Sequence, residues 1–121
     1  FLSNDCKFSH LEKRYEVDNA ESGHAQFVKK SVYIEAGMEN ENFISYSPED
    51  KERLHRFNLL GYNVGRIENW VYHLEHARTP NSWLTNPHMQ NNFKLWEFLQ
   101  SLDVDELKQY YSEQKYLKKY K

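Results

Sequence analysis

The sequence has little cysteine and no long hydrophobic run, and each absence excludes a class of protein. Cys6 is the only cysteine among 121 residues, so an intrachain disulfide cannot form and a reducing compartment fits best. No apolar stretch approaches the ~20 residues that cross a membrane, and the first residues lack the basic and apolar regions of a signal peptide. We therefore expect no transmembrane segment and a location in the cytoplasm or at the cytoplasmic face of a membrane.

An excess of charge of one sign is also lacking. The 16 lysine and arginine residues nearly balance the 18 aspartate and glutamate residues, which gives a formal net charge of -2. This balance provides no basic surface for nucleic acid or for an anionic membrane, so we expect neither partner. The length suits a single domain with a modest core, and the start at Phe1 rather than methionine suggests a segment of a longer protein.

What is present is a series of well-punctuated elements, of which a helix at residues 48–60 is the clearest. Ser47 is predicted to be its N-cap, Pro48 occupies the first helical position, and Gly61 follows the end. Asp50 completes a Ser-x-x-Asp capping box. Pairs of acid and arginine at i,i+4 spacing are expected on an exposed side of this helix, namely Glu49 with Arg53 and Glu52 with Arg56.

Alternation of apolar and polar residues predicts short strands on either side of that helix. The predicted extended segments are residues 24–29, 62–67 and 70–74. Ser31 is expected to cap a short helix that ends at Gly37 in a left-handed conformation. These elements together predict an α/β class, a mixed α+β chain in which a short sheet packs against the long helix.

The C-terminal third is predicted to be helical. Residues 89–102 have helical apolar periodicity, and Asp103 with Glu106 forms the capping box of a further helix. Asp103 and Asp105 also form an Asp-x-Asp motif, which is a metal signature of many sugar-nucleotide enzymes. The capping box accounts for this motif without a metal.

Two neighbouring acidic residues, Glu49 and Asp50, are the first candidates for chemistry. A carboxylate at a helix N-terminus is held ionised by the helix dipole and the free backbone N–H groups, which suits a base that takes a proton from a sugar hydroxyl. Acidic residues in a first helical turn are also ordinary capping groups, so the pattern alone leaves both interpretations open. Tyr46 flanks the pair and could stack on the face of a sugar ring.

Two histidines and an arginine follow at close spacing. His73 and His76 lie three positions apart, so they share a face only if the chain bends or is helical there. Imidazoles together with a carboxylate suit a divalent cation such as manganese or zinc, but two ligands do not complete a site and the histidines could be structural. Arg78 could clamp a diphosphate, or it could be a surface residue.

The order of these motifs resembles a known family. The motifs are Phe27-Val-Lys-Lys-Ser-Val-Tyr-Ile-Glu-Ala-Gly37, Asn40-Glu-Asn-Phe43, Glu49-Asp50, Arg56, Leu60-Gly-Tyr62 and His73-x-x-His76-x-Arg78. In this order they resemble the C-terminal catalytic region of GT-A type glycosyltransferases. The likeness is closest to the beta-1,4-galactosyltransferase family and its bacterial and polypeptide N-acetylgalactosaminyltransferase relatives, and it covers roughly half of the chain, from Phe27 to Trp83.

The resemblance implies a role for each candidate residue. Asp50 would be the base that deprotonates the acceptor hydroxyl, and Glu49 would contact the acceptor. His73 and His76 would bind the Mn²⁺ that holds the donor diphosphate, with His73 in place of a family methionine. The family's arginine that faces the donor phosphates matches Arg78. The family's tryptophan beside the acceptor sugar is replaced by Tyr46, and its glycines before the acidic pair are replaced by Ser47 and Pro48.

The resemblance therefore implies part of a sugar-nucleotide-dependent, inverting glycosyltransferase that uses a UDP-sugar donor and a glycan acceptor. Residues 1–121 would form a single domain or fragment, the C-terminal half of a GT-A fold, whose N-terminal half would supply the remaining metal ligands. Residues 24–83 would carry the acceptor and metal region, and residues 86–121 would form a C-terminal helical segment. The alternative is a noncatalytic carbohydrate-binding or protein-interaction module that retains the same scaffold.

Overall fold

The computed structural model describes residues 25–67, 71, 77–82 and 85–120. All regular secondary structure in these ranges is helical. The α-helices found there are α1 (Lys30–Glu35), α2 (Glu49–Leu59), α3 (Met89–Ser101) and α4 (Val104–Ser112). Short 3₁₀ helices occupy Pro80–Ser82 and Lys115–Tyr120.

The predicted α/β class, and with it the C-terminal half of a GT-A fold, is wrong for this part of the chain, because the described residues contain no strand. Residues 25–29 of the predicted strand 24–29 are exposed throughout, with Phe27 86% exposed, and residues 63–67 of the predicted strand 62–67 are exposed as well. Alternation predicts a strand only where one face of the segment is buried, and neither face of these two segments is buried. The predicted strand 70–74 lies outside the described residues except for Val71.

The end of α1 is confirmed, whereas its predicted cap is wrong. Gly37 follows the helix with a φ of 97°, and the N–H of Met38 donates to the carbonyl of Tyr33 over 2.8 Å, which is the Schellman arrangement. The N-terminus lies earlier than predicted, because Lys29 occupies the N-cap and no side chain caps this end. Ser31 is therefore inside the helix.

The end of α2 is confirmed in the same way. Gly61 has a φ of 80°, and the N–H of Tyr62 donates to the carbonyl of Phe57 over 3.0 Å. The rings of Phe57 and Tyr62 meet edge to face at 5.8 Å, which supplies the apolar contact that accompanies a Schellman motif. The helix thus stops where glycine allows a left-handed residue.

The predicted C-terminal helices are confirmed. The predicted helix at residues 89–102 appears as α3, and the capping box of α4 is formed on both sides. The Oδ1 atom of Asp103 accepts from the N–H groups of Asp105 and Glu106, each over 2.9 Å. The Oε2 atom of Glu106 in turn accepts from the N–H of Asp103 over 2.9 Å. Capping is therefore the observed role of the Asp103 carboxylate in the Asp-x-Asp motif.

The hydrophobic core lies between α3, α4 and the last 3₁₀ helix. Its buried members are Leu99, Leu107, Tyr111 and Leu117. Helix α2 packs against α3, where the ring of His55 meets that of Trp96 at 5.5 Å. This packing leaves the N-terminus of α2 and the loop before it at the surface, where the candidate residues lie.

Candidate functional site

The acidic pair occupies the first turn of α2, as predicted, but its local bonding differs from the prediction. Pro48 rather than Ser47 is the N-cap, and no side chain caps this end. The Ser47 hydroxyl instead donates to Oε2 of Glu49 over 2.6 Å. The predicted Ser-x-x-Asp box is therefore not formed, because the serine hydroxyl is engaged by the neighbouring carboxylate.

Asp50 is 39% exposed and belongs to a small ion-pair network. Its Oδ1 accepts from Nη2 of Arg53 over 3.0 Å and from Nε2 of Gln26 over 3.4 Å. The same Nη2 of Arg53 lies 3.0 Å from Oε1 of Glu39. Arg53 was predicted to pair with Glu49, so its observed partners are a correction. Both contacts of Asp50 use the same oxygen, and among the described residues Oδ2 accepts no hydrogen bond.

A shallow groove of about 490 Å³ lies beside this network. We call it the acidic groove, and its lining residues are Glu39, Asn40, Glu41, Phe43, Ser45, Ser47 and Glu49. Carboxylates, hydroxyls and one aromatic ring are the groups with which proteins bind polar, ring-shaped ligands such as sugars. Asp50 does not itself line the groove, but it follows the lining residue Glu49 in the chain and shares Arg53 with the lining residue Glu39.

Tyr46 lies on the loop that borders the acidic groove and is 41% exposed. Its carbonyl accepts from the side-chain amides of Asn86 and Asn92 over 2.9 and 3.2 Å. Asn92 also pairs with both backbone groups of Ile44, accepting from its N–H over 3.2 Å and donating to its carbonyl over 2.8 Å. The backbone of this loop is therefore fixed from the C-terminal helical segment.

Arg78 is exposed and lies on the short segment that runs alongside the same loop. Asn81, three positions after Arg78, accepts at its carbonyl from the N–H of Tyr46 over 3.4 Å and from the hydroxyl of Ser45. The structure thus brings the segment that carries Arg78 next to the loop that carries Tyr46.

The two histidines predicted to bind metal, His73 and His76, lie outside the described residues. Over the ranges that are described, no three side chains of His, Cys, Asp or Glu come together as candidate metal ligands. The predicted Mn²⁺ site therefore stays a prediction.

Sequence reasoning missed a buried polar cluster formed by Glu52, Arg56 and Tyr111. Arg56 and Glu52 are 0% and 1% exposed, although their pair was predicted to lie on an exposed side of α2. Arg56 donates from Nη1 to the carbonyl of Ala36 over 2.5 Å and from Nη2 to that of Met38 over 2.8 Å. The guanidinium thus donates to two carbonyl groups at the end of α1, and these hydrogen bonds hold it in the interior of the protein.

Tyr111 completes this cluster from α4. Its hydroxyl donates to Oε1 of Glu52 over 2.7 Å and accepts from the amide of Asn40 over 3.1 Å, while the Arg56 guanidinium lies 4.3 Å from the ring centroid. Burial first, and then the Glu52 carboxylate, raises the pKa of Tyr111 far above its ordinary value. Burial, followed by the nearby Tyr110, also raises the pKa of Tyr116.

Faint signals for the missed residues were present in the sequence. A helix that ends at Gly37 leaves carbonyls that a long basic side chain can satisfy, which points toward an arginine such as Arg56. Asn92 stands in the interior of a predicted helix, where asparagine is unfavourable unless its amide binds backbone elsewhere. Neither signal identifies the segment that supplies the partner.

The chain matches no protein-family model, no curated protein and no solved structure. Among the residues that the structure describes, no helix has the length and apolar character needed to cross a membrane. The site residues therefore have to be interpreted from their own geometry and chemistry.

Proposed function

We propose that this chain is part of a sugar-nucleotide-dependent, inverting glycosyltransferase. It would contribute to transfer of a hexose or N-acetylhexosamine from a UDP-sugar to a hydroxyl group of a glycan acceptor. A location in the cytoplasm belongs to the same proposal. The proposal takes its reaction class from the order of motifs in the sequence and its acceptor site from the geometry around Asp50.

The observation that carries the proposal is the oriented carboxylate of Asp50, which shares Arg53 with Glu39 of the acidic groove. Asp50 is half-exposed, and its Oδ2 accepts no hydrogen bond from the other described residues. Arg53 holds Oδ1 over 3.0 Å, which fixes the orientation of the carboxylate without occupying its second oxygen. A base for an acceptor hydroxyl needs an oriented carboxylate with a free oxygen within reach of that hydroxyl.

The proposed step is a single displacement at the anomeric carbon of the donor sugar. The acceptor oxygen forms a bond to that carbon as the bond to the diphosphate breaks, and Oδ2 of Asp50 takes the hydroxyl proton. Glu49, which lines the groove, would bind a further acceptor hydroxyl, and the exposed Tyr46 would pack against the acceptor ring. The electron pair of the broken bond leaves with the UDP.

The donor side of the proposal rests on Arg78, His73 and His76. Arg78 carries a forked guanidinium suited to diphosphate oxygens, and its segment runs beside the Tyr46 loop. His73 and His76 are the proposed ligands of Mn²⁺, which when bound supplies positive charge near a leaving diphosphate. The proposed proton transfer to Asp50 does not depend on these three donor-side residues.

Turnover by an Asp50→Asn variant tests the proposal. UDP release is measured for the complete protein with Mn²⁺, a set of UDP-sugars and a panel of glycan acceptors. Asparagine cannot take the proton, so we expect turnover to fall by about 10²- to 10⁴-fold while UDP-sugar affinity, measured by calorimetry, is unchanged.

The matched control is Asp105→Asn, which removes an exposed carboxylate from the first turn of another helix. It should leave turnover intact. The proposed role would be refuted if the unsubstituted protein released no UDP with any of the donor and acceptor pairs. It would also be refuted if Asp50→Asn lost donor affinity as much as it lost turnover.

A noncatalytic carbohydrate-binding or protein-interaction module is the second candidate. One observation favours it: Glu49 and Asp50 both already have partners, since Ser47 binds Glu49 and Arg53 binds Asp50. Saccharide binding in the acidic groove, seen as NMR shifts of its lining residues, together with no UDP release from any donor, would favour this candidate. Saccharide binding together with UDP release would exclude it.

A further inference from the structure

The loop that carries Tyr46 has an unusual backbone. Ser45 has a φ of 63°, in the left-handed region that residues other than glycine rarely adopt. Such a conformation persists only where the surrounding contacts fix it. Ser45 donates its hydroxyl to the carbonyl of Asn81, and the residues on either side of it are bound by Asn92.

Asn92 acts on this loop as a backbone group would. Its Oδ1 accepts from the N–H of Ile44, and its Nδ2 donates to the carbonyls of Ile44 and Tyr46 over 2.8 and 3.2 Å. One side chain of α3 therefore makes three hydrogen bonds across Ser45. Asn86 adds a second donor to the Tyr46 carbonyl over 2.9 Å. Both asparagines are buried, so water does not compete for these bonds.

These inward bonds determine what the loop presents outward. Both backbone groups of Ile44 and the carbonyl of Tyr46 are held toward α3, while both side chains are exposed. Ser45 and Ser47 line the acidic groove, and Asn92 does not. Asn92 can thus set the shape of the groove edge without touching a ligand bound there.

We propose that Asn92, assisted by Asn86, is a positioning residue for the binding of an acceptor saccharide in the acidic groove. It holds Tyr46, Ser45 and Ser47 in the arrangement that an acceptor saccharide contacts. The inference rests on the proposed function, and it assigns part of acceptor recognition to the C-terminal helical segment.

The test compares Asn92→Ala with Leu99→Ala in the complete protein. Leu99 is buried in the same helix, so its replacement weakens packing while the hydrogen bonds of Asn92 to the loop stay in place. We expect Asn92→Ala to raise the KM for the glycan acceptor by on the order of tenfold or more, because a displaced contact surface loses binding steeply. The KM for the UDP-sugar should not change in either variant.

Hydrogen exchange of the loop amides supplies a readout that does not depend on activity. The N–H of Ile44 is bonded to Asn92, so its exchange should accelerate in Asn92→Ala and stay slow in Leu99→Ala. If the alanine variant does not fold, Asn92→Asp serves instead. It keeps the shape and the acceptor oxygen but cannot donate to the two loop carbonyls, so the acceptor KM should still rise.

Three outcomes decide between the possibilities. A rise in acceptor KM confined to the Asn92 variants, with faster exchange at Ile44, supports the inference. Turnover with an acceptor KM that is unchanged in Asn92→Ala, or raised equally in Leu99→Ala, overturns the inference and leaves the proposed function standing. An unsubstituted protein that neither releases UDP nor binds saccharide overturns both.

Discussion

Helix α2 carries two acid–arginine pairs that are close in sequence and opposite in environment. Asp50 and Arg53 lie at the surface, with side chains 39% and 15% exposed, whereas Glu52 and Arg56 are almost completely buried. Both pairs have a nitrogen to oxygen distance of 3.0 Å. Distance alone therefore does not separate a structural pair from one that is available for chemistry.

The partners around each pair make the difference. Arg56 also binds the carbonyls of Ala36 and Met38, and Glu52 also binds the hydroxyl of Tyr111, so the buried pair joins α1, α2 and α4. A buried pair with such partners is costly to break, because the remaining charge and carbonyls cannot reach water. The surface pair is partly exposed, so breaking it costs little free energy of unfolding.

The largest effect is expected from breaking the buried pair. Arg56→Met removes the guanidinium, leaves the Glu52 carboxylate buried without its counter-charge and leaves the Ala36 and Met38 carbonyls without their donor. We expect the free energy of unfolding to fall by about 3 to 5 kcal/mol. Urea denaturation followed by circular dichroism measures this change.

A second variant shows where that cost arises. Combining Arg56→Met with Glu52→Gln removes the unpaired charge, so part of the lost stability should return. If Arg56→Met alone were as stable as the unsubstituted protein, the pair of Glu52 and Arg56 would not join the helices as described.

A smaller effect is expected where α1 meets the same cluster. A Cβ atom on Gly37 would collide with the ring of Tyr111 and press on the Arg56 guanidinium, and the φ of 97° is unfavourable for alanine. Gly37→Ala should therefore combine backbone strain of about 1 to 2 kcal/mol with overpacking of about 1 to 3 kcal/mol. Thermal and urea unfolding measure the sum.

Gly61→Ala is the matched control for this variant. Gly61 also has a positive φ, of 80°, but a Cβ there would meet no atom within 4 Å among the described residues. It should show the backbone strain alone, about 1 to 2 kcal/mol. Equal losses in the two variants would contradict the close contact of Gly37 with the buried cluster.

The contrast between the two pairs also marks what could be predicted from the sequence. Helix ends were predictable because their signals are local: Gly37, Gly61 and the Asp103 capping box act within a few residues. The strands were predicted wrongly, because the alternation of apolar and polar residues in one segment does not show whether another segment lies beside it to pair with. The spacing of Glu52 and Arg56 predicted their pairing, but their burial depends on carbonyls of another helix.

The candidate site shows the same division. The place of Glu49 and Asp50 in the first turn of α2 was predictable from helix punctuation. Their surroundings were not, because the groove edge is held by Asn92, whose amide reaches Tyr46 across 46 positions of sequence. A single sequence gives no measure of such long-range pairing, so Asn86 and Asn92 could be found only in the structure.

The smallest effect on stability is expected at the surface pair, and it completes the comparison. Arg53→Met makes the same substitution as Arg56→Met on the same helix, one turn closer to its start. Because Asp50 and Glu39 are both partly exposed, water can replace the lost contacts, and the free energy of unfolding should fall by only about 0 to 1 kcal/mol. Urea denaturation under the conditions used for Arg56→Met measures the difference directly. A loss as large as that of Arg56→Met would make Arg53 part of the structural core and would remove the argument that the Asp50 carboxylate is available to a ligand. A small loss would leave the first turn of α2 as a surface whose charges are not needed for folding, which is the condition under which Asp50 can serve as a base.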